Sequence, residues 1–241
     1  MLDFTMLLRI VLSHPSHPGN IGAAARAMKT MGFSDLALVA PRHFPDPDAT
    51  AMAAGAADVL ASARVFDSLE AALADCTLVA GFSARGRDLS HPPVALREAA
   101  PELVAASGAG RVALVFGNET SGLSNDELLR CHRLVHIPAN PGYSSLNLAA
   151  AVMVACYELS TTAGEHALPP SGSGEAATSD DVEGFFAHLE SVVVEAGHLD
   201  PARPGRLMER MRRLFARSGL EREEVRLMRG MFAAFEKRMR R

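Results

Sequence analysis

Apolar runs of strand length alternate with helix-like stretches along two-thirds of this chain, and that alternation restricts the fold more than any other feature. Leu7–Leu12, Leu36–Ala40, Val65–Phe66, Thr77–Ala80, Val112–Phe116 and Leu134–Ile137 read as strands. Between them the pattern predicts helices over 20–31, near 48–57, from Asp67-Ser68-Leu69-Glu70 onward, between Pro93 and Ala106, after Ser124 and over 145–161. Strands that are apolar almost throughout are buried on both faces, so the expected fold class is α/β, a parallel sheet covered by helices on both sides. The 145–161 helix is apolar nearly all round, which places it in the core and, through Met153, Val154 and Cys156, partly in a subunit interface.

Composition changes after this unit. Residues 162–179 turn to Gly, Ser, Pro and Ala and read as a linker, so the expected division is 1–161, linker 162–179, and a helical unit over 180–241. The end of the chain is basic: 203–241 carries 13 Lys+Arg against 5 Asp+Glu, whereas 1–202 holds 11 against 23. Arg206, Arg210, Arg213 and Arg217 follow helical spacing as one stripe, a surface for a polyanion or a solvated face. Ser218 to Glu221 is expected to cap a final helix with Val225, Met228, Phe232, Phe235 and Met239 on its apolar side. With no Trp and two Tyr, aromatic stacking is not expected to be the main mode of binding bases. Three dispersed cysteines fit a reducing compartment, and neither a signal peptide nor a membrane span is apparent, so a cytoplasmic location is expected and no membrane.

Three polar turns interrupt the apolar pattern: His17-Pro18-Gly19-Asn20-Ile21-Gly22-Ala23-Ala24-Ala25-Arg26, Leu114 to Leu123 around Gly117-Asn118-Glu119, and Ile137-Pro138-Ala139-Asn140-Pro141-Gly142-Tyr143-Ser144-Ser145-Leu146-Asn147-Leu148. Loops of this kind at strand ends are where α/β proteins bind ligands. Neither a GxGxxG fingerprint nor a Walker A loop is present, and His14 and His17 lack partners at metal-ligand spacing, so no metal is expected. In the first turn Asn20 is expected to cap a helix whose N-terminus is an anion site, with Arg26 inside a bare alanine-rich start. Glu119 leaves the end of a buried strand, and Ser144, Ser145 and Asn147 crowd one helix start where capping needs a single residue.

In family order, N-I-G-A-A-A-R-A, V-F-G-N-E-x-x-G-L and I-P-x-N-x-x-Y-S-S-L-N-L resemble the three motifs of the SpoU/TrmH branch of the SPOUT RNA 2′-O-ribose methyltransferases. The Arg26–Gly32 continuation, the Ala80–Arg85 loop and the basic helical extension are most similar to the TrmJ-like tRNA methyltransferases. The resemblance implies a deep trefoil knot and a homodimer whose active sites draw on both subunits. It implies S-adenosylmethionine held by Phe82, Ser83, Ala84, Gly117, Ile137, Ser144, Ser145 and Leu146. Arg26 then acts on the ribose 2′-OH, Asn20 positions it, and Glu119, Ser145 and Asn147 complete the pocket. The implied substrate is tRNA, at the pyrimidine of anticodon-loop position 32. Ribosomal RNA is the alternative within the class, and a non-catalytic RNA-binding protein the alternative outside it.

Overall fold

The computed structural model describes residues 7–84, 92–164 and 174–240. Met1–Thr5, Arg85 of the Ala80–Arg85 loop, and 165–173 of the expected linker lie outside the described residues. Seven strands form one sheet: β1 (Leu8–Ser13), β2 (Asp35–Val39), β3 (Arg64–Phe66), β4 (Cys76–Phe82), β5 (Val94–Ala95), β6 (Arg111–Phe116) and β7 (Arg133–His136). They are ordered β3-β2-β1-β6-β4-β7-β5. Every pairing is parallel.

Side-chain alternation explains why the central strands read as continuous apolar runs. On β1, Ile10 and Leu12 enter one core with Leu36, Leu38 and Leu114. Val11 enters the other with Ala37, Val39, Ala113 and Val115. Helices α1 (Pro18–Thr30), α5 (Leu96–Ser107) and α7 (Leu148–Gly164) cover the first face, and α4 (Leu69–Leu73) and α6 (Asn125–Leu129) the second. The adjacent strands β1 and β6 therefore send their following helices, α1 and α6, to opposite faces. In an open parallel sheet that reversal leaves a crevice at the carboxyl ends of the strands. At the opposite end, the fully buried Arg9 is held by Asp35 at 3.2 Å and Asp75 at 2.6 Å.

Several boundaries differ from the sequence expectation, each for a local reason. The helix expected near 48–57 is two, α2 (Pro47–Ala53) and α3 (Ala57–Ala61), parted by a turn in which Ala54 takes a φ of 48°. Ser68, not Asp67, caps α4, accepting from the Ala71 amide. The capping box at Ser124 is present, with Glu127 closing it. Helix α7 begins at Leu148 rather than 145, because Asn147 accepts from the Ala149 and Ala150 amides; it continues to Gly164, into the stretch read as linker. Its Cys156, expected at an interface, is instead fully buried in the core, whereas Val154 and Tyr157 remain exposed.

The last three helices have a core of their own. Helices α8 (Ser179–Glu195), α9 (Leu207–Phe215) and α10 (Arg222–Met239) enclose Phe185, Phe186, Leu189, Val225 and Phe232. Helix α8 starts inside the expected linker, capped by Thr178. Glu221, not Ser218, takes the cap position of α10: its amide donates to the Glu224 carboxylate at 2.8 Å, and the Ser218 hydroxyl donates to Phe215 instead. Only part of the α10 stripe packs, with Phe235 51% and Met239 39% exposed. Arg206, Arg210, Arg213 and Arg217 are all exposed, although α9 itself spans only the middle of that stripe.

Candidate active site

The loops that follow β4, β6 and β7 surround a cleft of about 290 Å³. Phe82, Ser83, Ala84, Gly117, Ile137, Ser144, Ser145 and Leu146, the residues assigned to the cofactor by resemblance, all line it. So do Phe116, Asn118, Tyr143 and Leu148, which sequence reasoning did not single out. Phe82 and Phe116 stack at 4.4 Å between ring centroids, forming an apolar floor from the last residues of two paired strands. Gly117 turns the chain so tightly that a Cβ there would overlap the backbone of Gly122 and Leu123. The walls are thus mostly backbone and small side chains, suited to a ligand held at close range.

Beside the cleft, all three motifs are joined by one carboxylate. Glu119 accepts from the Ser16 amide at 2.9 Å, the Ser16 hydroxyl at 2.7 Å, the His17 amide at 3.1 Å and Asn20 Nδ2 at 3.0 Å. Asn147 Nδ2 then donates to Asn20 Oδ1 at 2.9 Å. The expectation for the first turn is therefore corrected. Helix α1 starts at Pro18 with His17 at its cap position, so Asn20 lies in the first turn and is not its cap. The amides at that end are answered by Glu119 of the chain itself, a carboxylate at a helix N-terminus, as the helix dipole favours. Pro18 was the available signal, since proline favours the first helical position. Ser16 carried none, because its partner lies far away in sequence.

Burial pushes the Glu119 carboxyl upward, but hydrogen bonds from Asn20 and from the Ser16 amide and hydroxyl outweigh that and hold it at about 2. A carboxyl held below its ordinary value of 4.5 adds folding stability that is present above that pH and is lost as pH falls toward about 2. Glu119→Gln replaces an acceptor with an NH₂ group facing donors. It is expected to lower stability at pH 7 by roughly 1–3 kcal/mol, the usual cost of unsatisfied buried partners. Urea denaturation at a series of pH values checks this: the gap to wild type closes as pH falls from 4.5 toward 2, and a gap independent of pH contradicts it.

Arg26 stands apart. It is exposed on α1, does not line the cleft, and has no ion pair or side-chain hydrogen bond among the described residues. Ser145 lines the cleft, whereas Asn20 and Asn147 lie beside it in the hydrogen-bonded chain. The structure thus gathers the second and third motifs around one cavity and ties the first to its edge through Asn20, while Arg26 is exposed and outside the lining. Among the described residues no helix is long and apolar enough to cross a membrane.

A cleft at the carboxyl ends of parallel strands, lined by polar strand-end loops, defines a ligand-binding α/β domain, and known proteins show which kind. Residues 7–157 match the SpoU rRNA Methylase family, and residues 180–241 match the C-terminal domain of the tRNA methyltransferase TrmJ. A relative from Cronobacter sakazakii named tRNA (cytidine/uridine-2′-O-)-methyltransferase TrmJ is 48% identical over 95% of this chain and 96% of its own length. One from Pseudomonas aeruginosa, named tRNA (cytidine/uridine/adenosine-2′-O-)-methyltransferase TrmJ, is 46% identical over 95% and 94%. The crystal structure of TrmJ from Z. mobilis superposes with a TM-score of 0.83 at 35% identity, covering 95% of this chain and 98% of that one. The chain belongs to the SpoU methylase family, in its TrmJ branch.

Proposed function

We propose that this protein transfers a methyl group from S-adenosylmethionine to the ribose 2′-hydroxyl of a tRNA nucleotide, in the cytoplasm and as a homodimer. The observation that carries the reading is the convergence of three distant motifs: the Glu119–Asn20–Asn147 chain borders the cleft that the second and third motifs line. Relatives similar over nearly the whole chain, named for this activity, support it.

The cleft fits the cofactor by its shape and lining. Phe82, Phe116, Ile137 and Leu148 offer an apolar bed, while Gly117 and Ser144–Leu146 bring backbone close to a ligand. When bound, S-adenosylmethionine supplies a methyl already activated on sulfur, so the chain's own work is positioning and charge stabilisation. Asn20 and Asn147 hold the edge of the cleft, and Glu119 fixes the start of α1 against it. A guanidinium is not deprotonated in proteins, so Arg26 serves by stabilising negative charge developing on the 2′-oxygen while a phosphate or water takes the proton. Arg26 is absent from the lining of its own chain's cleft, and in this reading the site is completed by Arg26 of a second copy. The exposed Val154 and Tyr157 on α7 support that pairing.

The trefoil knot belongs to the same reading, supported by the segment after β7 that lines the cleft together with the loop after β6. The catalytic unit is 1–161 and the helical unit 180–241, whose exposed arginine stripe supports phosphate contact along the RNA. The proposed target is the pyrimidine of anticodon-loop position 32, consistent with the cytidine/uridine in the Cronobacter relative's name. Incubating the purified chain with methyl-labelled S-adenosylmethionine and either bulk tRNA or bulk ribosomal RNA tests the function. Label in tRNA supports it, label confined to ribosomal RNA moves the substrate, and label in neither leaves an RNA-binding protein without catalysis.

A further inference from the structure

The described arginines up to Gly164 fall into two groups. Arg9, Arg64, Arg97, Arg111, Arg130 and Arg133 are each ion-paired with an aspartate or glutamate. Arg26 and Arg42 are exposed and have no such partner among the described residues. Among the described residues most arginines of this part of the chain are thus neutralised locally, and these two are left exposed without an acidic partner.

Arg42 lies at the sheet end from which the helix carrying Arg26 starts. Strands β1 and β2 run parallel with Ser13 opposite Val39, so the loop 41–46 leaves the same sheet end as the loop leading to α1. The two loops are joined by backbone: the His14 amide donates to Val39 at 2.9 Å and the Arg42 amide to Pro15 at 3.1 Å. Both begin on a strained residue, His14 with φ 51° and Ala40 with φ 41°, a conformation costly for side chains other than glycine and held only where the surroundings enforce it. Phe44 packs against the main core, and the Asp46 carboxylate is occupied in capping α2 through the Asp48 amide. Helix α2 in turn lies so close to α1 that a Cβ on Gly22 would overlap the Ala49 backbone. Arg42 and its exposed neighbour His43 are therefore presented on a rigid rim beside α1, next to the exposed His14 and His17.

We propose that this rim, through Arg42 with His43 beside it, contacts phosphates of the RNA strand flanking the nucleotide to be methylated. The proposal rests on the RNA-methylating reading above and adds a contact surface to it. An unpaired guanidinium on a preorganised loop is suited to phosphate, and on an otherwise acidic body it gives local attraction for a polyanion. The protein meets RNA at this rim whichever base is modified, because phosphates carry no sequence information.

The test uses the full chain, bulk tRNA and S-adenosylmethionine. For Arg42→Ala, the tRNA Kd at physiological salt is expected to rise about fivefold and the slope of log affinity on log salt to fall by roughly 1, as for loss of one phosphate contact. S-adenosylmethionine affinity stays unchanged. Arg42→Lys restores most of the affinity, Arg42→Glu weakens binding beyond Arg42→Ala, and His43→Ala adds a smaller loss. If Arg42→Ala and Arg42→Glu both bind tRNA like an active wild type, with the same salt slope, the inference is overturned; the rim then serves another partner. Loss of S-adenosylmethionine binding along with tRNA binding also overturns it, making Arg42 a structural residue. A wild type that neither binds nor methylates tRNA brings down the enzyme reading, and the rim's role falls with it.

Discussion

Arg26→Ala is expected to reduce methyl transfer by about 10²–10³-fold, the range seen when one donor that stabilises a developing oxyanion is removed. The side chain is exposed and joins no ion pair or side-chain hydrogen bond among the described residues, so its loss leaves the fold intact. It is also absent from the cleft lining, so S-adenosylmethionine affinity should stay at the wild-type value. Single-turnover transfer to tRNA together with titration calorimetry of the cofactor separates these effects. Loss of transfer with unchanged cofactor binding supports a role on the ribose side; loss of both would make Arg26 a structural residue. Because the reading places Arg26 in the cleft of a second copy, it makes a further demand. Mixing Arg26→Ala chains with chains disabled in the cleft should restore part of the transfer, since one of the two sites in each mixed dimer is then intact.

Gly117→Ala is expected to act from the opposite side, abolishing cofactor binding and lowering stability by roughly 3 kcal/mol or more. A Cβ at Gly117 has nowhere to go: the atoms it would overlap are the backbone of Gly122 and Leu123, not the end of a flexible side chain. Overpacking of a close backbone contact typically costs 1–3 kcal/mol and more where neither partner can move. Here the loop is also closed by the Gly122 amide donating to Asn118 at 2.8 Å and by the Thr120 amide donating to the Asn118 side chain at 2.9 Å. Gly55→Ala is the control, because a Cβ at Gly55 meets nothing within 4 Å. Thermal unfolding and cofactor titration of the two variants give the comparison, and a Gly117→Ala protein that binds cofactor like Gly55→Ala contradicts the tight-turn account.

The sheet was legible because burial on both faces leaves a signature that local sequence carries: Ile10 and Leu12 serve one core, Val11 the other, and all are apolar. What escaped was short or long-range. Strand β5 has two residues, Val94 and Ala95, too few for any period. The cap at Ser68 lay beside a rival of equal propensity, Asp67, and the cap position of α10 falls to Glu221 although Ser218 is the better capping residue, so only the geometry of the following turn decided. The three motifs supplied candidate residues and the resemblance divided them into a cofactor side and a ribose side, but the hydrogen bonds that join Glu119, Asn20 and Asn147 left no local signal. That Glu119 would answer the amides at the start of α1 is a contact across about a hundred residues, set by the adjacency of β1 and β6. Nor does any local pattern reveal that Arg26 is exposed and absent from the lining of its own chain's cleft.

The central claim is that the methyl group goes to a ribose oxygen of tRNA, and the stability of the labelled product to alkali tests it most directly. Alkali cleaves RNA through a free 2′-hydroxyl, so a nucleotide methylated on that oxygen survives within a dinucleotide, whereas a base-methylated one is released as a mononucleotide. After incubation of tRNA with the protein and methyl-labelled S-adenosylmethionine, the label is predicted in alkali-resistant dinucleotides. Label released as mononucleotides, or no label in tRNA, would contradict the account.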